Sequence, residues 1–131
     1  MVPRKRLILG GEASSWTLIE TIRNLRPECV VLNHYGPTET TVGVLTYRVT
    51  EGLRQGPIVP LGRPLPNVQL YLLDKHKAPV PMGVPGEVYI GGECVARGYL
   101  NRPELSAERF LPHPYSDKPD ARVYRTGDLA R

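Results

Sequence analysis

The sequence predicts an α+β protein in which the βαβ end of a doubly wound parallel sheet is followed by a small, mostly antiparallel, β-barrel-like sheet. Three observations favour this fold class. Two short apolar runs flank an amphipathic segment near the N-terminus, apolar and β-branched residues later alternate with polar ones, and 13 glycines and 14 prolines are spread between the apolar runs. We expect the first part to span residues 1–40 and the second part residues 41–131.

The first part is predicted from spacing alone. Residues 7–9 are continuously apolar, as in a strand buried on both faces, and a pair of glycines follows them. Ser14 or Ser15 can cap a helix in which leucine and isoleucine recur at helical spacing until Pro27, where a helix cannot continue. Residues 30–32 form a second apolar run, and two strands joined by a helical crossover pair in parallel.

Each predicted parallel strand is followed by a segment that can bind a ligand. In open α/β sheets, ligands bind beyond the carboxyl ends of the strands. Residues 10–13 leave the first strand and residues 33–39 leave the second. If the two strands are neighbours, these segments face each other across one crevice.

The second part is predicted from alternation and turn residues. Residues 41–49 are rich in β-branched side chains, and Pro103 is well placed to start a helix of about two turns. Apolar and polar residues alternate in further short segments, which clusters of turn residues separate. The predicted strands lie near residues 68–72, 87–90 and 122–125, and the turns at 62–64, 74–76 and 79–86.

Composition excludes several classes of function. The net charge of +4 comes from 17 basic and 13 acidic residues that mostly alternate in sign, unlike the basic stripe with interleaved aromatic residues of a nucleic-acid binder. Cys29 and Cys94 lie far apart and form no CxxC pair, so a structural zinc site is disfavoured. No apolar run reaches the roughly 18–20 residues that span a bilayer. We expect a cytoplasmic protein with no nucleic-acid or membrane partner.

The densest chemical signal lies at residues 33–41. Within seven residues it offers an amide, an aromatic ring, a turn, a hydroxyl and a carboxylate. A ring can stack on a base, an amide can bind the polar edge of that base, and a hydroxyl can donate to phosphate. A carboxylate can hold Mg²⁺ beside phosphate oxygens. The same residues can also form a plain polar turn that caps a helix or strand, and both interpretations stay open at this point.

Four segments follow one another along the chain: residues 9–13 (LGGEA), 33–39 (NHYGPTE), 86–103 (GEVYIGG running into VARGYLNRP) and 124–129 (YRTGDL). In order and approximate spacing they resemble the core motifs of amino-acid adenylation domains of nonribosomal peptide synthetases, within the adenylate-forming enzyme superfamily. The segments cover nearly the whole chain. Residues 33–39 and 86–110 are most similar to the peptide-synthetase branch.

The resemblance implies a site for ATP and Mg²⁺. Tyr35 would stack on adenine, Asn33 would bind its amino edge, and Asp128 would accept hydrogen bonds from both ribose hydroxyls. Thr38 and Glu39 are the implied catalytic residues, because Thr38 would contact the α-phosphate and Glu39 would coordinate the metal. The implied nucleotide-binding residues are Gly11, Glu12, Ala13, Asn33, Tyr35 and Asp128.

The resemblance also implies part of a pocket for an amino-acid side chain. Gly10 and Gly43 lack side-chain bulk, which favours a larger substrate, and His34 adds one polar group. The combination is similar to proline-activating pockets, although Gly43 departs from that pattern. Each position could equally be core packing. The implied pocket residues are Ile8, Gly10, His34, Val42 and Gly43.

The implied parent reaction joins an amino acid to ATP, giving an aminoacyl-adenylate and pyrophosphate, after which the phosphopantetheine thiol of a carrier domain takes the acyl group. The phosphate loop, the aspartate that grips the amino group and the C-terminal domain with its catalytic lysine are expected outside these 131 residues. The implied partners are the rest of the adenylation domain and the carrier and condensation domains. We expect the chain alone to be inactive.

Other interpretations stay open. The chain could be an excised or engineered subdomain that acts only as a binding or interaction module. A basic, β-rich nucleic-acid binder is a second alternative, which salt-dependent binding would reveal. Because two parallel strands alone leave sheet edges without partners, the α/β end of the isolated chain could be poorly ordered, swapped or paired with another copy.

Overall fold

The computed structural model describes residues 2–49, 54 and 56–131. Contacts divide the chain into two compact units that interleave along the sequence. The first unit contains Met1–Gly36 and Gly43–Leu65, and the second contains Pro37–Val42 and Pro66–Arg131. In the described residues, each unit holds one of two β-sheets.

The first unit contains the predicted βαβ arrangement. Strand β1 (Arg6–Leu9) and strand β2 (Val30–Tyr35) pair in parallel, and helix α1 (Trp16–Leu25) connects them. Strands β3 (Leu45–Arg48) and β4 (Arg63–Pro64) extend the sheet in antiparallel fashion, in the order β1-β2-β3-β4. The parallel pairing expected from the crossover is therefore confirmed.

Helix α1 begins directly after a residue that caps it with its side chain. Ser15 is the N-cap, and its hydroxyl accepts a hydrogen bond of 3.2 Å from the Leu18 amide. The helix buries Trp16, Ile19 and Ile22 in a core that also holds Val31, Val49 and Val59. Burying this apolar face is the main stabilising contribution, since a ten-residue helix is marginal alone.

The second unit is built around an antiparallel sheet. Its order is β5-β6-β8-β7, and every neighbouring pair is antiparallel. In the described part of the chain this sheet stays open, with β5 and β7 at its edges, and the mixed α and β fold class is confirmed. The elements are β5 (Val68–Leu73), β6 (Gly86–Gly92), helix α2 (Pro103–Arg109), β7 (Phe110–Pro112) and β8 (Arg122–Ala130), with a 3₁₀ turn at Thr38–Thr40.

Strand pairing in the first sheet continues past residue 40, because β3 and β4 pair with the βαβ strands. These two strands lie within residues 41–131 but pair with the first sheet. The assignment of residues 1–40 and 41–131 to two subdomains of a parent enzyme stays a prediction. In the described ranges, no helix has the length and apolar character needed to cross a bilayer.

Candidate functional site

The start of the segment after β1 lies beside the end of β2 in the first unit, where β2 runs to Tyr35, past the end that the sequence predicts. Leu9, the last residue of β1, pairs with Asn33, two residues before the end of β2. A Cβ atom added to Gly10 would lie 2.8 Å from the backbone oxygen of His34, so only glycine allows this close approach. Gly11 has a φ of +86° and faces open space, and Glu12 and Ala13 after it are exposed. The backbone of residues 11–13 is thus accessible to a flat ligand.

Asn33 is buried at 3% exposure, and its carboxamide is engaged inside the first unit. Its Nδ2 donates to the backbone oxygens of Pro60 (2.9 Å) and Val59 (3.4 Å), and its Oδ1 accepts from the Ser14 hydroxyl (3.1 Å). Both amide hydrogens are used, so the one remaining capacity is the second lone pair of Oδ1. That oxygen can accept from an amino group, which is the chemistry predicted for adenine.

Tyr35 and His34 end β2, and both are half-buried. The Tyr35 backbone oxygen accepts a hydrogen bond of 2.9 Å from the Val44 amide, which fixes the strand end. The His34 imidazole occupies the space beside Gly43, because a Cβ there would lie 1.7 Å from the His34 Nε2 atom. Ile8, on β1, is 61% exposed. The first unit thus brings Gly10, His34 and Gly43 together.

The remaining residues of the predicted motif form a tight turn in the second unit. The Pro37 oxygen accepts from the amides of Thr40 (3.0 Å) and Val42 (3.2 Å) and from the Thr40 hydroxyl (3.1 Å). Thr41 and Val42 follow with φ angles of +66° and +67°, a conformation that β-branched residues rarely adopt. Thr38 and Val42 are exposed. Two adjacent strained residues fit a functional loop that its surroundings hold in place.

The Glu39 carboxylate is the most strongly organised charged group of this turn. Its Oε1 atom accepts a hydrogen bond of 2.5 Å from the Tyr99 hydroxyl, and the Tyr124 hydroxyl lies 3.4 Å from that of Tyr99. Partial burial raises the pKa of Glu39, but the hydrogen bonds from Tyr99, its own backbone and Tyr124, with the charge of Arg109, outweigh that effect. The pKa of Glu39 therefore lies below its ordinary value, and the group is ionised at neutral pH.

Tyr99 lies within residues 86–103, a segment in which the sequence predicts no site residue. Burial and then the Glu39 hydrogen bond raise the pKa of Tyr99, and burial raises that of Tyr124, so both hydroxyls keep their protons. Gly98 before it has a φ of +140°, and the Tyr99 amide donates to the Ser106 hydroxyl at 2.8 Å. The contact between Tyr99 and Glu39 spans 60 positions. No local pattern in the sequence could indicate a contact across that separation.

Asp128 lies on an irregular part of β8. Glu87 of β6 pairs with Leu129 and Tyr89 pairs with Arg125, so three residues of β8 stand opposite one residue of β6. Gly127 makes this bulge possible with a φ of +85°, and the Thr126 hydroxyl accepts from the Asp128 amide at 3.0 Å. The bulge leaves Asp128 exposed at the sheet surface.

The residues of the second unit fit a magnesium ion that a nucleotide would bring. Mg²⁺ is usually held by one or two carboxylates, water and substrate phosphates, not by a complete protein cage. Glu39 is ionised, and one of its two oxygens is held by Tyr99. Within the described ranges, no group of three or more His, Cys, Asp and Glu side chains could hold a metal by itself. The donor set therefore suits a metal–nucleotide complex.

The predicted site residues are divided between the two units. Those of the first unit are Ile8, Gly10, Gly11, Glu12, Ala13, Asn33, His34, Tyr35 and Gly43, and those of the second are Thr38, Glu39, Val42 and Asp128.

Known proteins resemble this chain in sequence and in structure. The AMP-binding enzyme family matches residues 3–100. Malpinin synthetase of Mortierella alpina is 48% identical over all of this chain and 2% of its own length. Chondramide synthase cmdD of Chondromyces crocatus is 49% identical over 97% of this chain and 3% of its own length. The solved structure of PA1221, an NRPS protein containing adenylation and PCP domains, superposes with a TM-score of 0.87 at 30% identity. The match covers 96% of this chain and 26% of that one.

The chain therefore belongs to the AMP-binding enzyme family, whose model matches three quarters of its length. The resemblance to adenylation domains of nonribosomal peptide synthetases, predicted from four motifs, is confirmed. The chain spans only 2–3% of the length of these two synthetases and about a quarter of the length of the solved protein.

Proposed function

We propose that the chain supplies nucleotide-binding residues to an adenylation domain that activates an amino acid with ATP and loads it onto the phosphopantetheine of a carrier domain. The observation that carries this proposal is the ionised Glu39 carboxylate, which accepts a hydrogen bond from the Tyr99 hydroxyl. Glu39 is the last residue of the segment NHYGPTE, which resembles a family motif. The likeness to malpinin synthetase and chondramide synthase, and to a solved NRPS protein with adenylation and PCP domains, supports it. A cytoplasmic location stays a prediction.

In this proposal the first unit binds the base. The Tyr35 ring stacks on adenine, and the exposed backbone of residues 11–13 provides a second flat surface. The free lone pair of Asn33 Oδ1 accepts from the adenine amino group, because the two amide hydrogens are already donated to Val59 and Pro60. Ser14 keeps this oxygen in place. Base recognition thus depends on a side chain whose orientation folding has already fixed.

The second unit binds the ribose and the phosphates. The Asp128 carboxylate accepts from the ribose hydroxyls, and the exposed Thr38 hydroxyl donates to the α-phosphate. Glu39 would hold Mg²⁺, and the bound ion would supply charge neutralisation at the phosphate oxygens. The substrate carboxylate attacks the α-phosphorus, and the bond to pyrophosphate breaks. Negative charge develops around that phosphorus, so positioning and electrostatic stabilisation dominate catalysis.

The amino-acid pocket is proposed to include Ile8, Gly10, His34, Val42 and Gly43. From the sequence, the absence of a side chain at Gly43 favours a larger substrate. The positions of His34 and Gly43 change this expectation. Gly43 removes bulk, but the His34 imidazole already fills the space that Gly43 leaves. The two residues therefore offer the substrate a polar ring edge and not an enlarged cavity.

The 131-residue chain alone is proposed to be inactive, with the parent domain as the active enzyme. Its proposed partners are the rest of the adenylation domain and the carrier and condensation domains. A binding or interaction module without catalysis is the second candidate.

The test is amino-acid-dependent ATP–pyrophosphate exchange by the adenylation domain that contains this chain. We expect exchange with one or a few amino acids, and none from the chain alone. Asp128→Ala should weaken ATP binding at least about tenfold, since hydrogen bonds to a charged group contribute about 1.5–3 kcal/mol each. Asp117→Ala, at an exposed aspartate of the same unit, should leave binding unchanged.

Absence of exchange with every amino acid would contradict adenylation, and exchange by the chain alone would contradict the incomplete-site proposal. Salt-sensitive binding to arbitrary DNA or RNA would favour the nucleic-acid alternative.

A further inference from the structure

We propose that Tyr99 is a positioning residue for the Glu39 carboxylate: its hydroxyl holds one oxygen and thereby presents the other to the metal. The proposal rests on the proposed function of Glu39 as a magnesium ligand. Tyr99 itself touches neither metal nor nucleotide in this arrangement and acts through Glu39. The first observation that supports it is the 2.5 Å hydrogen bond from the Tyr99 hydroxyl to Glu39 Oε1.

A second observation is that the Glu39 turn is fastened to the segment before Tyr99 through its backbone as well. The Ala96 amide donates to the Glu39 backbone oxygen at 2.8 Å. The Thr41 hydroxyl donates to the Cys94 oxygen at 2.9 Å. Residues 94–99 therefore hold the turn at three points, of which the Tyr99 hydroxyl is the only one that fixes the carboxylate of Glu39. Neither of the other two contacts involves an atom of Tyr99.

Tyr99 is itself held on several sides, as a positioning residue requires. Its ring meets the Phe110 ring edge-on at 5.4 Å between centroids, and its amide donates to the Ser106 hydroxyl at 2.8 Å. Arg122 donates to the backbone oxygens of Arg97 (2.7 Å) and Ala96 (3.2 Å), which braces the same segment. The hydroxyl is therefore in place before any ligand arrives, and binding needs little reorganisation of Glu39.

The test compares Tyr99→Phe with Tyr115→Phe in the adenylation domain that contains this chain. Tyr115 is an exposed tyrosine of the same unit whose hydroxyl donates to Lys77, so its variant is a matched control. Mn²⁺ replaces Mg²⁺, and its binding in the presence of ATP is followed by electron paramagnetic resonance. We expect Tyr99→Phe to weaken Mn²⁺ binding about tenfold, the lower end of the range for residues that orient metal ligands. Tyr115→Phe should change nothing.

A double-mutant cycle separates positioning from general structure. In a Glu39→Gln background, which removes the proposed ligand, Tyr99→Phe should have no further effect on Mn²⁺ binding. If Tyr99→Phe does not fold, Tyr124→Phe removes the hydroxyl 3.4 Å behind Tyr99 and should give a smaller loss in the same direction.

Equal Mn²⁺ affinity of wild type and Tyr99→Phe, or an equal loss with and without Glu39, would overturn the positioning role and leave the proposed function intact. If the wild-type domain binds no Mn²⁺ with ATP, the proposed function fails, and the positioning role fails with it. The hydrogen bond between Tyr99 and Glu39 can also be tested directly in the full 131-residue chain, by NMR. The ¹³C resonance of the Glu39 carboxyl should move in Tyr99→Phe and stay in place in Tyr115→Phe.

Discussion

At the scale of single residues, Asn33 shows how one side chain serves both folding and binding. The motif predicts that the Asn33 amide lies beside a base, and this role uses its Oδ1 oxygen. The structure adds that this amide ties the segment after β1 to residues 59 and 60, through Ser14 on one side and two backbone oxygens on the other. Such partners are 19 to 27 positions away, and sequence patterns cannot reveal them.

Asn33→Asp should therefore destabilise the fold in a pH-dependent way. The new carboxyl would replace an amide donor with an oxygen facing two carbonyl oxygens in a buried site, and both effects raise its pKa above the ordinary value of about 4. The folded state then binds more protons than the unfolded state, so stability is lost as the pH rises through this range. Urea unfolding at pH 4.5 and pH 7 should show the larger loss at pH 7.

Asn24→Asp, at an exposed position of α1, is the matched control for this prediction. It introduces the same carboxyl without burying it, and its effect on stability should be within about 0.5 kcal/mol at both pH values. A loss for Asn33→Asp that does not change with pH would contradict the burial argument.

At the scale of elements, the sequence predicts which elements exist better than it predicts how far they extend. Helix α1 and strands β5, β6 and β8 appear where alternation and capping place them. The buried face of α1 is different, because Trp16 is buried whereas Leu18 and Leu25 are 42% and 60% exposed. The spacing of apolar residues does not show which of two overlapping apolar faces of the helix is buried. Strand β8 runs to Ala130, beyond the predicted residues 122–125, because β6 pairs with it on both sides of the bulge.

The bulge at Gly127 predicts that Gly127→Ala lowers both the stability of the fold and the affinity for ATP, and a control variant separates the two effects. Any side chain at a φ of +85° costs about 1 kcal/mol, and relief of that strain would shift Asp128 next to it. Gly83→Ala is a control with the same cost, since Gly83 has a φ of +82° and open space around its Cβ. Both variants should lose about 1 kcal/mol in denaturant unfolding, whereas only Gly127→Ala should weaken ATP binding by the parent domain. Equal ATP affinities of the two variants would contradict a role for the bulge.

At the scale of the whole chain, the two units differ in how their sheets are completed. In the second unit, β6 lies between two strands and buries Val88 and Ile90 at 1% and 0% exposure. In the first unit, β1 is an edge strand whose residues are alternately exposed and half-buried. The sequence predicts the parallel pair and the antiparallel sheet. It could not predict that β3 joins the first sheet, because β-branched residues favour a strand without naming its partner.

This difference predicts unequal protection from amide hydrogen exchange in the isolated chain. Local opening is easiest where few apolar contacts and few neighbouring strands must be given up, so β1 should exchange at least about tenfold faster than β6. Mass spectrometry of peptides covering residues 6–9 and 86–92 would measure both rates. Repeating the experiment at two protein concentrations tests the edge of β1, since pairing with another copy would slow its exchange as concentration rises. A monomer at both concentrations, with residues 7–33 as protected as β6, would contradict the expectation that the α/β end needs a partner.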